Sequence, residues 1–157
     1  MAIQLTSEEK KLIEHAKKAV VRYNELRNSK GELATFYAFV LSDSGKIYDG
    51  ACLESMGGGV CGERAAIGRM FTEETYSSKI KAIVIFCPVP KELEYAPTPC
   101  GRCRNVIWER GTESTSIICG QYIQRKGGWE FLPKMEKYAI KELYPNPFKD
   151  PWADFKG

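Results

Sequence analysis

Cys61-Gly62-Glu63-Arg64 and Pro99-Cys100-Gly101-Arg102-Cys103-Arg104 are the two segments around which this chain is arranged. Between them lies Ile80-Lys-Ala-Ile-Val-Ile-Phe86, a nearly continuous apolar run of the kind that forms a central strand covered on both faces. After the first segment, Ala65, Ala66, Met70 and Phe71 recur at helical spacing, so a helix is predicted from Cys61 to about Thr72. In the second, Pro99 suits the first helical position and Gly111 lies just past the end, which predicts a helix over Cys100–Arg110. Two helix starts therefore flank one core strand, and the fold must bring them together.

Both helix starts carry cysteine. A thiol near a helix N-terminus feels partly positive N–H groups, which favour the thiolate needed for metal ligation. Two residues separate Cys100 from Cys103, so both sulfurs lie on one side of the first turn. With Cys61 they supply three ligands, and three protein ligands around Zn²⁺ leave a fourth position open, as in catalytic rather than structural zinc sites. Glu63 projects from another side of its turn and is the candidate proton shuttle. Arg64 and Arg104 are candidates to donate hydrogen bonds to the sulfurs and offset the negative charge of three thiolates. A Cys-x-x-Cys pair alone also fits a zinc ribbon or a redox pair. The conjunction of Cys-x-Glu with a later Pro-Cys-x-x-Cys matches the signature of zinc base deaminases, in which cysteine can serve as the first ligand.

Composition agrees with a folded enzyme-sized unit. The chain has 157 residues, 43% hydrophobic and 27% charged, and is expected to form one domain over 1–157. The six cysteines are even in number, but a chain able to bury a core and lacking a secretory pattern uses them for metal or redox chemistry rather than disulfide staples. Glu8, Glu9, Lys10 and Lys11 stand where a signal peptide would be apolar, which gives the expectation of a cytoplasmic protein. No run is long and apolar enough for a bilayer, so no membrane partner is expected. The net charge is +3 with scattered Lys and Arg, which offers no basic stripe for nucleic acid.

Around the two motifs, Thr6 to about Arg27 reads as an amphipathic helix with Leu12, Ile13, Ala16, Ala19, Val20 and Tyr23 on one face; His15 falls on its solvated side. Asn28–Gly31 is a turn. Ala34–Leu41 and Lys46–Cys52 are strands joined through Ser42-Asp-Ser-Gly45. The glycines of Met56-Gly-Gly-Gly59 allow positive φ or a close backbone approach. Thr115–Cys119 with Tyr122–Ile123 forms a further strand, continued into Trp129–Leu132, and Pro133–Leu143 is read as a last helix. The order predicts a mixed sheet sandwiched between helices. Cys87 and Cys119 are expected as buried apolar residues at strand ends, and Trp108, Trp129 and Trp152 as core or interface residues.

The two motifs resemble the cytidine deaminase family, whose members carry Cys-Ala-Glu-Arg and Pro-Cys-Gly-x-Cys-Arg in this order. The likeness extends from Phe36-Tyr-Ala-Phe-Val-Leu41 to Lys141-Glu-Leu-Tyr-Pro-Asn-Pro-Phe148, similar to the family's Glu-Leu-Leu-Pro-x-x-Phe ending. It implies a three-layer α/β/α sandwich with a mixed five-stranded sheet. It implies one zinc held by Cys61, Cys100 and Cys103, with Glu63 catalytic. It further implies hydrolytic release of ammonia from C4 of a free cytosine nucleoside by a homotetramer, a dimer being the smaller alternative. Implied substrate contacts are Glu54, Cys52, Phe36, a backbone carbonyl near Thr98 or Pro99, and Phe148 reaching a neighbouring subunit. Two features depart from the pattern. Cys52 stands where the family has a ribose-binding Asn, and the glycine loop before Cys61 is shorter by two residues and looks more like blasticidin S deaminases. The alternatives are therefore a blasticidin S-type aminonucleoside deaminase, or a non-catalytic zinc-containing nucleoside-binding protein.

Overall fold

The computed structural model describes residues 3–149, so Trp152 lies outside the described residues. The central run becomes the strand β3 of a sheet that also contains β1 (Tyr37–Ser42), β2 (Ile47–Ala51), β4 (Gly111–Arg125), β5 (Gly128–Phe131) and β6 (Glu136–Ala139), with β3 spanning Ile80–Pro88. The helices are α1 (Ser7–Ser29), α2 (Gly62–Glu74), α3 (Gly101–Arg110) and the single turn α4 (Ile140–Leu143). The sheet runs β2-β1-β3-β4-β5, and β6 is a sixth strand that pairs with β4. β3 and β4 are parallel, joined through α3; the other pairings are antiparallel. The mixed sheet between helices matches the expected α/β/α sandwich.

Alternation along the strands builds the layers. Tyr37, Phe39 and Leu41 of β1 and Ala82, Val84 and Phe86 of β3 face α1, where Leu12, Ala16 and Val20 are fully covered. Ala38, Val40, Ile83 and Ile85 point the other way, onto Ala66, Ile67 and Met70 of α2 and Cys103 and Ile107 of α3. Thr6 caps α1: its hydroxyl accepts from the Glu9 N–H at 3.2 Å and the Glu9 carboxylate accepts from the Thr6 N–H at 2.9 Å. The hairpin turns at Gly45, whose φ of 89° suits only glycine. Among the described residues, no helix is long and apolar enough to cross a membrane.

Five sequence expectations change. The tail predicted as a helix over Pro133–Leu143 is instead β6 followed by α4; Glu136–Ala139 pairs with Ser116–Cys119, because the long β4 leaves that stretch of its edge unpaired by β5. The strand expected from Thr115 and continued into Trp129–Leu132 starts earlier and ends at Arg125, as a 15-residue β4 on which β5 folds back as a separate antiparallel strand, and this places Cys119 at mid-strand, fully buried, instead of at an end. The turn expected at Asn28–Gly31 begins later, since α1 runs to Ser29. Pro99 lies outside α3, with Cys100 as its N-cap. His15 is half-buried and its Nε2 meets Asp49 Oδ1 of β2 at 2.8 Å, so it links α1 to the edge strand.

Candidate metal centre

Cys61 is the N-cap of α2 and Cys100 the N-cap of α3, both in extended backbone conformation. Neither helix has the hydroxyl or carboxylate cap that its free N–H groups ordinarily attract. Cys103 follows in the first turn of α3, fully buried. The glycines set these positions. A Cβ at Gly50 of β2 would stand 2.2 Å from the Gly62 carbonyl oxygen and 2.5 Å from the Ala66 nitrogen, so α2 lies directly against the strand backbone. In the loop before Cys61, Gly58 has φ of 100°, and a Cβ on Gly59 would strike the Leu53 carbonyl oxygen. That close approach permits the two-way backbone pairing of Leu53 with Val60 that delivers Cys61 to the site.

The sulfurs of Cys61 and Cys100 are 3.8 Å apart and those of Cys100 and Cys103 3.7 Å, and all three lie within 4.8 Å of one another. Zinc–sulfur bonds of about 2.3 Å at tetrahedral angles place sulfurs about 3.8 Å apart. Two edges of the cluster thus have the length of a zinc tetrahedron's edge, and the three residues could hold a metal ion. Burial pushes the Cys103 thiol well up, and the neighbouring Glu63 adds to the effect. Burial also raises Cys100, but hydrogen bonds from the Cys103 backbone N–H, the Cys103 and Cys61 thiols and the Arg102 N–H together outweigh it and hold that thiol low.

Glu63 is 8% exposed, and this burial raises its carboxyl above the ordinary range against the opposing effects of its own backbone N–H, the Cys103 thiol and the Arg64 charge. Arg64 lies beside Cys61 and Cys103, which raise its pKa, Cys61 most strongly. Its Nη2 reaches the Gly59 carbonyl at 3.5 Å, while Nε is buried with no partner among the described residues. A buried N–H beside sulfurs fits a site whose cysteines are thiolates, which accept hydrogen bonds far better than thiols. Arg104 has turned elsewhere. Its Nε donates to the Pro99 carbonyl at 2.7 Å, Nη1 to the Leu143 carbonyl at 2.8 Å and Nη2 to the Thr98 hydroxyl at 2.9 Å, so the donors expected at the sulfurs hold the loop and the tail instead.

A groove of about 490 Å³ opens beside Cys61 and Cys100 and is lined by Phe36, Cys52, Glu54, Arg64 and Arg102 among others. Of the predicted substrate contacts, Phe36, Cys52 and Glu54 line this groove; Thr98 serves Arg104, and Phe148 is 72% exposed and is not among the groove-lining residues. Cys52 is half-buried, and burial pushes its thiol up. Sequence reasoning missed Arg102. Its position between the two cysteines of the second motif is the signal that could have found it.

A three-layer sandwich whose helix starts present three cysteines and one buried acid defines a metal-competent α/β protein. Solved structures share its fold. The chain aligns with cytidine deaminase from Burkholderia pseudomallei at a TM-score of 0.59 and 20% identity, over 83% of this chain and 98% of that one. With cytidine deaminase from Bacillus anthracis the values are 0.56 and 19%, over 91% and 94%. With that of Mycobacterium tuberculosis they are 0.51 and 19%, over 84% and 97%. The fold is thus the cytidine deaminase-like fold. No family model matches the sequence, and no curated protein matches it.

Proposed function

We propose that this protein is a zinc-dependent hydrolytic deaminase that converts the C4 amine of a free cytosine nucleoside, cytidine or deoxycytidine or an analogue, to the uracil form with release of ammonia. The observation that carries the reading is a buried carboxylate, Glu63, set against three sulfurs spaced for zinc. Cys61, Cys100 and Cys103 would hold the ion, which would supply the Lewis-acid activation of water that this chemistry needs near neutral pH. Glu63 takes a proton from the attacking water as its oxygen bonds to C4 and passes it to N3; it then takes the remaining proton from the C4 hydroxyl of the adduct and gives it to the amine as the C4–N bond breaks and C4=O forms, so that ammonia leaves. A carboxyl held above its ordinary range by burial suits both halves of that task. Arg64 balances the thiolate charge. Glu54, Cys52 and Phe36 line the groove where the sugar would lie, and Phe148 would contribute to a neighbouring subunit's pocket in a cytoplasmic homotetramer serving pyrimidine salvage.

The second reading, a blasticidin S-type aminonucleoside deaminase, draws on Cys52 and Arg102 in the groove. A thiol replaces the amide that would bind sugar hydroxyls, and a guanidinium adds a charge that an unmodified ribose does not call for. A non-catalytic zinc protein has no use for a carboxylate buried at the cluster. Ultraviolet assays of the zinc-loaded protein on cytidine, deoxycytidine, cytosine and blasticidin S separate these readings. Glu63→Ala is expected to keep its zinc and fold while losing turnover by several orders of magnitude. No turnover of any of the four compounds by the wild type, or near-wild-type turnover by the variant, would refute the proposal.

A further inference from the structure

The chain from Val89 to Pro99 joins β3 to the metal-binding start of α3 without helix or strand of its own. Its backbone polar groups need partners from elsewhere. Gln121 of β4, fully buried, supplies two: its Oε1 accepts from the Leu93 N–H at 2.8 Å and its Nε2 donates to the Leu93 carbonyl at 3.2 Å. One side chain thus makes both bonds that a paired strand residue would make. Glu136 of β6 supplies a third, its Oε2 accepting from the Ala96 N–H at 3.0 Å, and Lys134 donates to the Glu94 carbonyl. Ala96 in turn is buried in the same apolar cluster as Cys103, and Cys61 packs against that cluster. Two residues further on, Arg104 grips Thr98 and Pro99.

We propose that Gln121 and Glu136 are positioning residues for the metal centre: they clamp Leu93 and Ala96, and through that segment fix where α3 begins and where Cys100 and Cys103 present their sulfurs. The clamp goes beyond the deaminase reading and shares with it only the zinc. The course of this loop is thus set by side chains of β4 and β6. Loosening it lets two of the three sulfurs move relative to Cys61.

The test uses the zinc-loaded full chain carrying Gln121→Met, a substitution of similar length that leaves Leu93 without either partner. Amide exchange at Leu93 is expected to quicken about tenfold or more, the scale of losing a buried hydrogen-bond partner. Zinc release to a chelator should quicken at least several-fold. Val20→Ala, on the α1 face of the sheet, is the control for global destabilisation; it should leave zinc release nearly unchanged at matched stability. Should Gln121→Met not fold, Glu136→Leu reads the Ala96 contact in the same way, and Glu136→Gln, which keeps an acceptor, should restore slow release. Unchanged Leu93 exchange, or zinc release no faster than in Val20→Ala, would overturn the clamp alone. A wild-type chain that takes up no zinc would overturn it together with the functional reading, whereas zinc uptake without nucleoside turnover would sink only the latter.

Discussion

Gly50→Ala and Gly68→Ala make one methyl's difference at the two ends of the same argument. At Gly50 the added Cβ would sit 2.2 Å from the Gly62 carbonyl oxygen and 2.5 Å from the Ala66 nitrogen, both backbone atoms of α2. Ordinary van der Waals contact begins near 3.4 Å, so the helix must retreat from β2 by about an ångström. Backbone cannot rotate aside as a flexible side chain does. Overpacking of this kind costs about 1–3 kcal/mol. The functional effect is larger, because Gly62 lies between Cys61 and Glu63 and the displaced helix carries both. Misplacing reacting groups by about 1 Å lowers rates on the order of a hundredfold. Gly68, on the exposed side of α2, has nothing within 4 Å of its added Cβ. There alanine relieves the conformational entropy of a mid-helix glycine, worth about 0.5–1 kcal/mol in favour of the fold, with activity unchanged. Thermal unfolding and steady-state deamination on the two purified variants check the pair. Wild-type turnover in Gly50→Ala would refute the reasoning, since it would mean that the contact of strand and helix does not set the site.

Three further outcomes follow from particular contacts. Burial would raise Glu9, but hydrogen bonds from Lys137, Ser116 and the Thr6 N–H and the Lys137 charge outweigh it, so its folded pKa lies below the unfolded value. The unfolded chain then binds more protons as pH falls, so the stabilisation is present above the unfolded pKa and is lost as pH falls through the folded one; Glu9→Gln should lose about 1–3 kcal/mol near neutrality and flatten the acid side of a melting-temperature profile. Arg104→Lys keeps the charge but cannot reach Pro99, Leu143 and Thr98 together, and should lower the melting temperature and loosen the loop in amide exchange more than any exposed Arg→Lys change. Arg64→Gln should lower turnover while zinc content stays nearly intact, as measured by metal analysis beside the kinetic assay.

How much of this was legible depended on whether a residue's neighbours in sequence decide its state. The continuous apolar runs of Tyr37–Leu41 and of β3 stated their burial directly, and α1 announced itself with Thr6, Glu9 and a regular apolar stripe. The tail misled because Lys134-Met-Glu-Lys-Tyr-Ala is made of good helix formers. Its state is decided by an open stretch of β4 twenty residues upstream, and pairing there overrides propensity. The three cysteines and Glu63 were legible since each helix start encodes its own ligand positions. Arg104 was not, because its acceptors are carbonyls of a loop and of the tail. Gln121 carries no signal in its sequence neighbours and drew no expectation; it is fully buried because a loop folds back over it.

The unsatisfied donor at the centre bears on why the metal and the arginine belong together. Leaving the Arg64 Nε–H buried without a partner costs about 1–3 kcal/mol, more where the group is charged, and proteins seldom retain such a group without use. Its neighbours are Cys61 and Cys103, and a neutral thiol is a weak acceptor. Ligation requires the thiols to lose their protons, and the thiolates so formed present strong acceptors to that same N–H. The residues that would hold the ion and the residue that would balance their charge are therefore satisfied in one event. Burial resists this event at Cys103, which raises the thiol, and favours it only once charge is neutralised from both sides, by the ion and by the guanidinium. Helix N-termini at Cys61 and Cys100 lower the same barrier from the backbone. Arg104 lies next to Cys103 in sequence, yet its fork is filled by three oxygens and adds no hydrogen bond to the sulfurs. Of the two arginines that follow the motifs, Arg64 would thus serve charge, while Arg104 holds the loop and the tail, although in sequence they occupy equivalent places.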